Sequence, residues 1–340
     1  MARGWDENDA EHYERPRRRT RPRTKDRPTY DDAEAGTVVR VDRGRYTVLV
    51  DGHPVSAPTT AMKARPLGRK GVVVGDRVRL VGDTSGIDGA LARIVEVDPR
   101  RTVLRRTADD DDPVERVIVC NADQLVVVAA LADPEPRPRL IDRALVAAYD
   151  AGMAPLLVLT KADLADPETL LSTYRSLGVP WVVTQKGAEV EAVRERLAGR
   201  VSVLIGHSGV GKSTLVNRLV PTALRDVGVV NSTTGRGRHT STSAIMLALP
   251  AEDGGPGEPG GWIIDTPGIR SFGLAHVLPE HLIEAFPDLD EMTEDCPRGC
   301  THGEDEPECE LDEALEAGQV DPDRVTSFRR LLAARESSDV

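Results

Sequence analysis

Hydrophobic and polar positions alternate through the first third of the chain, in short runs separated by Gly and Asp turn pairs. The runs cover residues 37–41, 46–50, 78–81 and 91–97. A period of two predicts strands with one buried face. We expect about five short strands here, which is the number that closes a small antiparallel barrel. Four consecutive aspartates, at positions 109–112, are expected to form the linker that follows.

Beyond the linker the apolar runs become continuous, at residues 125–131, 156–159, 181–183 and 201–205, and segments 139–150 and 189–197 between them have helical character. Strands without alternation are typical of a parallel sheet covered by helices on both faces. The predicted fold class is therefore α/β. The longest apolar run has seven residues, whereas a membrane span needs about 20, so we expect no membrane association and a cytoplasmic protein.

Charge is distributed unevenly along the chain, whose net charge is -12. Residues 1–107 hold 23 Lys plus Arg against 16 Asp plus Glu, and the other 233 residues hold 21 against 40. Residues 1–35 contain few apolar positions and eight cations between 15 and 27, which predicts a disordered basic arm. Residues 36–107 carry 14 cations against 7 acids, which favours an RNA-binding barrel.

The cations expected on the RNA-binding front are Arg40, Arg43, Arg45, Lys63, Arg65, Arg69, Lys70, Arg100, Arg101, Arg105 and Arg106. Tyr46 is the single aromatic residue among positions 36–107, so we expect contacts to phosphate and shape rather than base stacking. A plain solvated surface is the alternative interpretation.

A phosphate-binding motif, G-x-x-x-x-G-K-[ST], spans residues 206–213 between a predicted strand and a predicted helix, and Thr214 follows it. Its glycines allow backbone N–H groups to face phosphates at a helix N-terminus, Lys212 adds a positive charge, and the Ser213 hydroxyl can ligate Mg²⁺. A coincidental Gly-rich turn is the alternative. The predicted nucleotide contacts of the loop are Gly206, Ser208, Gly209, Val210, Gly211, Lys212, Ser213 and Thr214.

Two further motifs follow apolar strands. In Asp265-Thr-Pro-Gly268, the carboxylate can hold the Mg²⁺ shell and the Gly268 N–H can meet the terminal phosphate, although an ordinary turn has the same composition. In Thr160-Lys-Ala-Asp163, the Asp163 carboxylate can accept from the N1–H and N2–H₂ groups of guanine, and the Lys161 stem can lie along the base. Three motifs at strand ends favour guanine nucleotide over ATP.

The order of these motifs is unusual. Base recognition comes at 160, the phosphate loop at 206 and the magnesium-side aspartate at 265, whereas small GTPases place the phosphate loop first. The order is circularly permuted. Because the magnesium-side loop comes last, we expect a change of bound nucleotide to alter the conformation of the C-terminal segment that follows it.

Residues 234–243 form a polar, Gly-rich stretch with the composition of a switch loop. Thr240 is the predicted Mg²⁺ ligand there, with Thr242 as a competitor. Position 269, after the magnesium-side motif, is Ile rather than a water-orienting Gln, so His239 is the candidate for positioning water. The alternative is a solvated histidine without a catalytic role.

Three cysteines and a histidine, Cys296, Cys300, His302 and Cys309, lie within fourteen residues of an acidic C-terminal region. Thiolates and imidazole at this spacing predict a closed structural zinc site, and reduced cysteines in a loop are the alternative. Cys120 lies in an apolar stretch and is expected to be a buried small hydrophobic residue.

Together these features resemble the ribosome small subunit-dependent GTPase A family (RsgA, also called YjeQ or YloQ). The resemblance implies an OB-fold barrel at 36–107, a circularly permuted P-loop GTPase domain at 113–275 and a helical zinc-knuckle domain at 276–340. It also implies GTP/GDP, Mg²⁺ and one structural Zn²⁺ as cofactors, and a monomer whose partners are the small ribosomal subunit and its rRNA.

The function that the resemblance implies is GTP hydrolysis in late maturation of the small subunit, stimulated by that subunit, with His239 taking part. Three features depart from the family: Thr160 replaces Asn, the cysteine spacing is shifted, and residues 184–186 are a degenerate second base-contacting loop. An RNA-binding assembly factor with a structural nucleotide, or a P-loop ATPase, are the alternative functions.

Overall fold

The computed structural model describes residues 30–68, 71–106, 116–220, 244–251, 259–266, 274 and 276–336. Residues 32–340 cluster as one compact unit. Of the arm predicted at 1–35, residues 1–29 lie outside the described part, and the first strand already begins at Glu34. No helix within the described ranges is both long and apolar enough to cross a membrane.

Five strands form the barrel that the alternating runs predict. They are β1 (Glu34–Asp42), β2 (Arg45–Val50), β3 (Thr59–Lys63), β4 (Arg77–Gly82) and β5 (Ala92–Val97). β1 pairs with both β2 and β4, and β3 pairs with β2 and β5, so the ring closes in the order β1-β2-β3-β5-β4. The β3–β5 pair is parallel, so the expectation of a wholly antiparallel barrel is wrong at this pair. The barrel core contains Val38, Val48, Val78, Leu80 and Ile94, which are the inward positions of the alternation.

A hairpin joins the barrel to the second domain. β6 (Val103–Arg106) and β7 (Arg116–Cys120) pair antiparallel, with Val103 opposite Cys120. This hairpin brackets the acidic segment predicted as a linker, and sequence patterning did not predict it. The hairpin therefore brings both sides of the linker together.

The second domain contains a mixed sheet. Its strands are β8 (Gln124–Ala130), β9 (Ala154–Thr160), β10 (Trp181–Val183), β11 (Val201–Ile205), β12 (Ile245–Leu249) and β13 (Gly261–Asp265). The order is β10-β9-β8-β11-β13-β12, with all neighbours parallel except β12 and β13. β12 also meets β1 at one residue pair, Ile245 with Arg40, so the barrel continues the sheet.

Both faces of this sheet are buried, which explains the continuous apolar runs. In β8, Leu125 and Val127 belong to one core cluster, whereas Val126 and Val128 belong to the other. Helix α1 (Pro138–Asp150) covers the first face. The second face packs against α3 (Glu191–Leu197) and α4 (Lys212–Leu219), while α2 (Glu168–Tyr174) packs with α1.

The C-terminal region adds helices to the α1 face. They are α5 (Pro279–Ile283), α6 (Pro287–Asp290), α7 (Glu310–Glu316) and α8 (Pro322–Glu336). Phe286 is 1% exposed and lies edge-on between Tyr149 of α1 and Phe328 of α8. The region therefore shares the core on the α1 face of the sheet rather than folding around a separate one.

Candidate nucleotide site and metal centre

The phosphate-binding motif lies where the sequence places it, between the end of β11 and the start of α4. Gly209 and Gly211 have φ values of +86° and +91°, which other residues adopt only with strain. A Cβ on Gly206 would lie 2.7 Å from the Val128 carbonyl oxygen. The loop therefore needs glycine at these positions to turn into the helix, and Ser208, Ser213 and Thr214 of the motif are exposed.

Lys212 links the phosphate loop to the magnesium-side strand. β11 and β13 are neighbours, with Leu204 opposite Asp265. Lys212 is 9% exposed, and its ammonium donates to Asp265 Oδ1 and, at 2.6 Å, to the Thr266 carbonyl oxygen. A buried ammonium requires such partners. The predicted phosphate lysine and magnesium-side carboxylate are thus brought into direct contact.

The base-recognition motif lies at the end of β9, on the same edge of the sheet. Thr160 is 6% exposed, and its hydroxyl donates to the Val210 carbonyl oxygen at 2.6 Å. Lys161 has a φ of +59° and its ammonium donates to the Asp133 carbonyl oxygen. Asp163 is exposed, with its carboxylate available to a ligand.

One part of the site was missed by sequence analysis. The loop after β8 contains Asp133 and Pro134, and β8 lies between β9 and β11. Asp133 accepts from Lys161, and a Cβ on Gly209 would lie 3.5 Å from Pro134 Cδ. The loop borders a pocket that reaches His207 and α1. The proline-rich composition of residues 134–138, which is typical of a turn, is the sequence signal that could have indicated this loop.

Residues 184–186, predicted as a second base-contacting loop, begin beside the base-recognition motif. The Thr184 N–H donates to the Leu159 carbonyl oxygen at 2.8 Å, and the Thr184 carbonyl oxygen accepts from Ala162 at 3.3 Å. The Thr184 hydroxyl is buried and has no hydrogen-bond partner in the described chain. The switch candidates His239, Thr240 and Thr242, and also Gly268, lie outside the described residues.

The four predicted metal ligands converge. His302 Nδ1 lies 3.6, 3.5 and 3.8 Å from the sulfur atoms of Cys296, Cys300 and Cys309, and all four donor atoms lie within 4.8 Å of one another. A tetrahedral Zn²⁺ with bonds of about 2.3 Å to sulfur and about 2.0 Å to nitrogen separates its donors by roughly 3.5–3.8 Å. The donor set and its spacing fit a closed four-ligand site.

Neighbouring groups support these ligands. The Glu310 N–H donates to the Cys296 sulfur at 3.4 Å, and Arg329 donates to the His302 carbonyl oxygen at 3.2 Å. Burial raises the pKa of Cys296 and raises that of Cys300 to about 12. Each of these thiols would release its proton on binding a metal ion. The remaining cysteine, Cys120, is fully buried as expected, and burial raises the pKa of its thiol far above the ordinary value.

The structure corrects part of the predicted RNA-binding front. Arg100 donates to the buried Asp76 carboxylate at 2.7 and 2.9 Å, a partner that a charge count does not identify. Arg101 donates to Asp123 at 2.6 Å but is exposed, so its place on the front stays a prediction. Lys70 and Arg69 lie outside the described residues.

An outward row of barrel side chains contains one of the predicted cations, Arg45, and one that was not predicted, Arg93. Arg45 of β2 lies opposite Met62 of β3, which lies beside Arg93 of β5. The next row along, Tyr46, Ala61 and Ala92, is buried, so the first row faces outward, and all three of its residues are exposed. We call Arg45, Met62 and Arg93 the outer row.

Comparison with known proteins identifies this architecture. A family model described as RsgA GTPase matches residues 97–275. The small ribosomal subunit biogenesis GTPase RsgA of Pseudomonas aeruginosa (strain LESB58) is 39% identical over 277 residues, which cover 79% of this chain and 77% of the relative. The protein of the same name from Pseudomonas putida (strain F1) is 40% identical over 272 residues, covering 77% and 75%.

Solved structures agree. YjeQ from Thermotoga maritima matches with a TM-score of 0.62 and 25% identity over 90% of this chain and 99% of its own. YloQ, described as a circularly permuted GTPase, matches with a TM-score of 0.62 and 22% identity over 92% and 98%, which shows the fold. The predicted fold class, a permuted P-loop domain with an N-terminal OB-type barrel and a C-terminal knuckle region, is confirmed. This chain belongs to the RsgA GTPase family.

Proposed function

We propose that this protein binds GTP and hydrolyses it to GDP and phosphate while it acts in late maturation of the small ribosomal subunit. One observation carries the proposal: the ends of β9, β11 and β13 bring Asp163, Lys212 and Asp265 to one edge of the sheet. Ligands of open α/β sheets bind at the carboxyl ends of the strands. The printed names of the relatives supply the biological context.

The proposed roles follow from side-chain chemistry. Lys212 neutralises the outer phosphates, and Ser213 and Asp265 hold Mg²⁺, which when bound offsets the charge of the phosphate oxygens. Gly206, Ser208, Gly209, Val210, Gly211 and Thr214 complete the phosphate loop, and Gly268 follows Asp265 on the magnesium side. Thr240 completes the Mg²⁺ shell and His239 positions water, with both roles inferred from the sequence.

Guanine selection is assigned to Asp163, with the Lys161 stem beside the base. An amide at position 163 would donate to the 2-oxo group of xanthine, whereas the carboxylate accepts from the 2-amino group of guanine. Competition binding tests this assignment: Asp163→Asn should lose GDP and gain XDP. Asp166→Asn is the matched control, because its side-chain oxygen still accepts from the Glu168 N–H. Equal affinity of the natural protein for ATP and GTP would contradict the proposal.

Hydrolysis is tested by measuring turnover at increasing concentrations of purified small subunits. We expect stimulation by the subunits and a steep loss in His239→Ala with nucleotide binding retained. Turnover that never exceeds one GTP per protein would instead identify an assembly factor with a structural nucleotide. Unchanged turnover in His239→Ala would remove its proposed role.

The Cys296, Cys300, His302 and Cys309 site is proposed to hold one structural Zn²⁺. Four protein ligands leave no open position for substrate, so the metal would act on folding alone. Elemental analysis should give one zinc per chain for the natural protein and a large loss for Cys309→Ser. Cys120→Ser is the control, because that thiol lies outside the site. A full zinc content in Cys309→Ser would contradict the assignment.

The proposed partners are the small subunit and its rRNA, reached through the barrel, and the proposed location is the cytoplasm, with the protein as a monomer. Residues 36–107, 113–275 and 276–340 are proposed as the barrel, GTPase and zinc domains. The outer row supports RNA contact because it presents two arginines on an exposed strand face that OB-type barrels use for binding.

A further inference from the structure

The four proposed zinc ligands lie in one irregular segment, residues 296–309, which we call the zinc loop. The structure describes all of these residues and contains no helix or strand among them. Six residues separate His302 from Cys309, and four of the six are acidic. Acidic side chains stay in solvent unless they are paired, so burial of this segment cannot hold the histidine in place.

The backbone of His302 has a conformation that needs support. Its φ is +59°, a left-handed value that few residues other than glycine adopt, and the residue is 8% exposed. A conformation of this kind persists when the surrounding structure fixes it. Because the backbone sets the direction of the imidazole, a contact that holds the His302 backbone also directs Nδ1 toward the three sulfur atoms.

A contact of this kind comes from Arg329, a residue of α8. Its Nε donates to the His302 carbonyl oxygen at 3.2 Å, and its Nη1 and Nη2 donate to the two carboxylate oxygens of Asp312 at 2.8 and 3.0 Å. Asp312 lies in the first turn of α7, directly after the zinc loop. A bidentate pair fixes the plane of the guanidinium, so the Asp312 carboxylate directs Nε at the histidine carbonyl.

Helix α8 gives Arg329 a firm base. The residue before it, Phe328, and Leu331 further along the helix are both 0% exposed. The residue after it, Arg330, donates to Asp142 of α1 at 3.2 Å. The side chain of Arg329 is itself 13% exposed. Arg329 therefore connects an irregular loop to a helix that is packed into the core.

We propose that Arg329 is a positioning residue of the zinc site, which holds the His302 backbone so that the imidazole faces the three thiols before the metal binds. This inference rests on the proposed zinc site. When the contact is absent, the loop must order itself as the metal binds, and the apparent affinity falls with the fraction of molecules in the competent arrangement. Groups that orient a metal ligand without touching the metal typically change metal affinity by about 10- to 100-fold.

The test is the zinc affinity of full-length Arg329→Met, measured by competition with a chelator of known affinity. We expect the Kd for Zn²⁺ to rise at least about tenfold, while saturating zinc still gives one ion per chain because all four ligands remain. Asp312→Asn removes the carboxylate that orients Arg329 and should raise the Kd by a smaller factor, which keeps the proposal testable if Arg329→Met folds poorly. Natural zinc affinity in both variants would overturn the proposal.

A matched control lies five residues earlier on the same helix. Arg324 donates to both carboxylate oxygens of Asp288 at 2.7 and 2.9 Å and to the Ser176 carbonyl oxygen at 2.9 Å. It also joins one carboxylate to one backbone carbonyl, but neither partner belongs to the zinc loop. Arg324→Met should lower the melting temperature and leave the Kd for Zn²⁺ unchanged. Equal losses of zinc affinity in Arg324→Met and Arg329→Met would show a general effect of helix stability and overturn the proposal.

Replacement of the histidine tests whether Arg329 acts through it. His302→Asn removes the imidazole, asparagine tolerates the left-handed backbone, and three thiols remain to bind Zn²⁺. In this background Arg329→Met should change the Kd by no more than about twofold, because the ligand that it positions is absent. A change as large as in the natural background would contradict the inference. Absence of zinc from the natural protein would contradict the proposed zinc site instead.

Discussion

Two junctions attach the flanking regions to the GTPase domain, and they are built differently. Besides the pair of Arg40 and Ile245, the barrel is attached by a group that we call the barrel junction: Val74, Asp76, Arg100, Cys120 and Asn121. Val74 bridges to Val119 of β7, the Asn121 side chain donates to the Gly75 carbonyl oxygen at 2.9 Å, and the Cys120 thiol donates to Asp76 at 3.1 Å. Its centre is one carboxylate with no exposed side-chain surface, paired with Arg100.

The helix seam, where α8 packs against α1 and α2, consists of several separate contacts. Arg330 donates to Asp142 and to the Thr173 carbonyl oxygen, both at 3.2 Å, and its guanidinium lies 5.3 Å from the Tyr174 ring centroid. Arg143 donates to the Ala334 carbonyl oxygen at 2.8 Å. Aromatic packing around Phe286 supplements these polar contacts.

The difference shows how each junction should fail. A junction centred on one buried charge pair loses most of its support when either partner is removed, because the other charge stays buried without compensation. A seam of many contacts loses its support in increments. The barrel should therefore detach abruptly and the C-terminal helices gradually.

The largest expected effect is at the barrel junction. Asp76→Asn removes the carboxylate that Arg100 contacts through two nitrogen atoms and should lower the free energy of unfolding by about 3 kcal/mol. Urea denaturation measures this change. The control is Asp98→Asn in the partly exposed Arg79 pair, which should cost less than about 1 kcal/mol. Equal losses in the two variants would contradict the contrast.

A smaller and pH-dependent effect is expected at the helix seam. Burial raises the pKa of Asp142, and Arg330 offsets this only in part. Arg330→Met should cost about 1.5–3 kcal/mol at a pH where Asp142 is ionised. The cost should shrink as the pH is lowered, because a carboxyl with a raised folded-state pKa takes up a proton and is then buried neutral. A cost that does not change as the pH is lowered would exclude this explanation.

Asp150, at the end of α1, should give an acid-dependent effect. Burial alone would raise its pKa, but hydrogen bonds from His276 and His281 outweigh burial and hold the pKa below its usual range. Its stabilising contribution is therefore complete above the unfolded pKa of about 3.9 and is lost as pH falls through the folded pKa. In Asp150→Asn, the melting temperature should fall less between pH 5 and pH 3 than it does in the natural protein. A fall of equal size in both proteins would contradict the prediction.

The smallest effect on stability is expected on the outer row. Arg45→Gln with Arg93→Gln should change the free energy of unfolding by no more than about 0.5 kcal/mol, since both side chains are exposed. Affinity for small subunits should fall, and the slope of log affinity against log salt should decrease by about one per lost phosphate contact. An unchanged salt slope would show that the RNA contacts lie elsewhere on the protein.

Sequence patterning was sufficient for most of the architecture. Period-two alternation predicted four barrel strands by position, and continuous runs predicted β8, β9, β10 and β11 within one or two residues. The motifs could be recognised from sequence because, in each, the residues that shape the backbone and the residues that carry the functional side chains are neighbours in the chain. Lys212 and Asp265 could be paired in advance because both follow strands of one sheet.

Contacts between residues distant in sequence were not predictable in this way. Arg100 lies 24 residues from its partner Asp76. The charge count of the barrel region therefore indicated a surface cation, whereas the side chain makes internal contacts. The β6 and β7 hairpin closes across a polar segment that carries no strand signal. Likewise, Asp133 enters the nucleotide site only because β8 lies between β9 and β11, which no local pattern specifies.

The meeting of β12 with β1 has a consequence for the order of local unfolding. The eleven-stranded sheet is continuous in topology, but its two halves join through the single pair of Arg40 and Ile245. Backbone protection from hydrogen exchange follows cooperative units rather than formal sheet membership. The strands on either side of that pair are therefore expected to exchange their amide hydrogens as two separate units, with one slow set in the barrel core and another around β8 and β11.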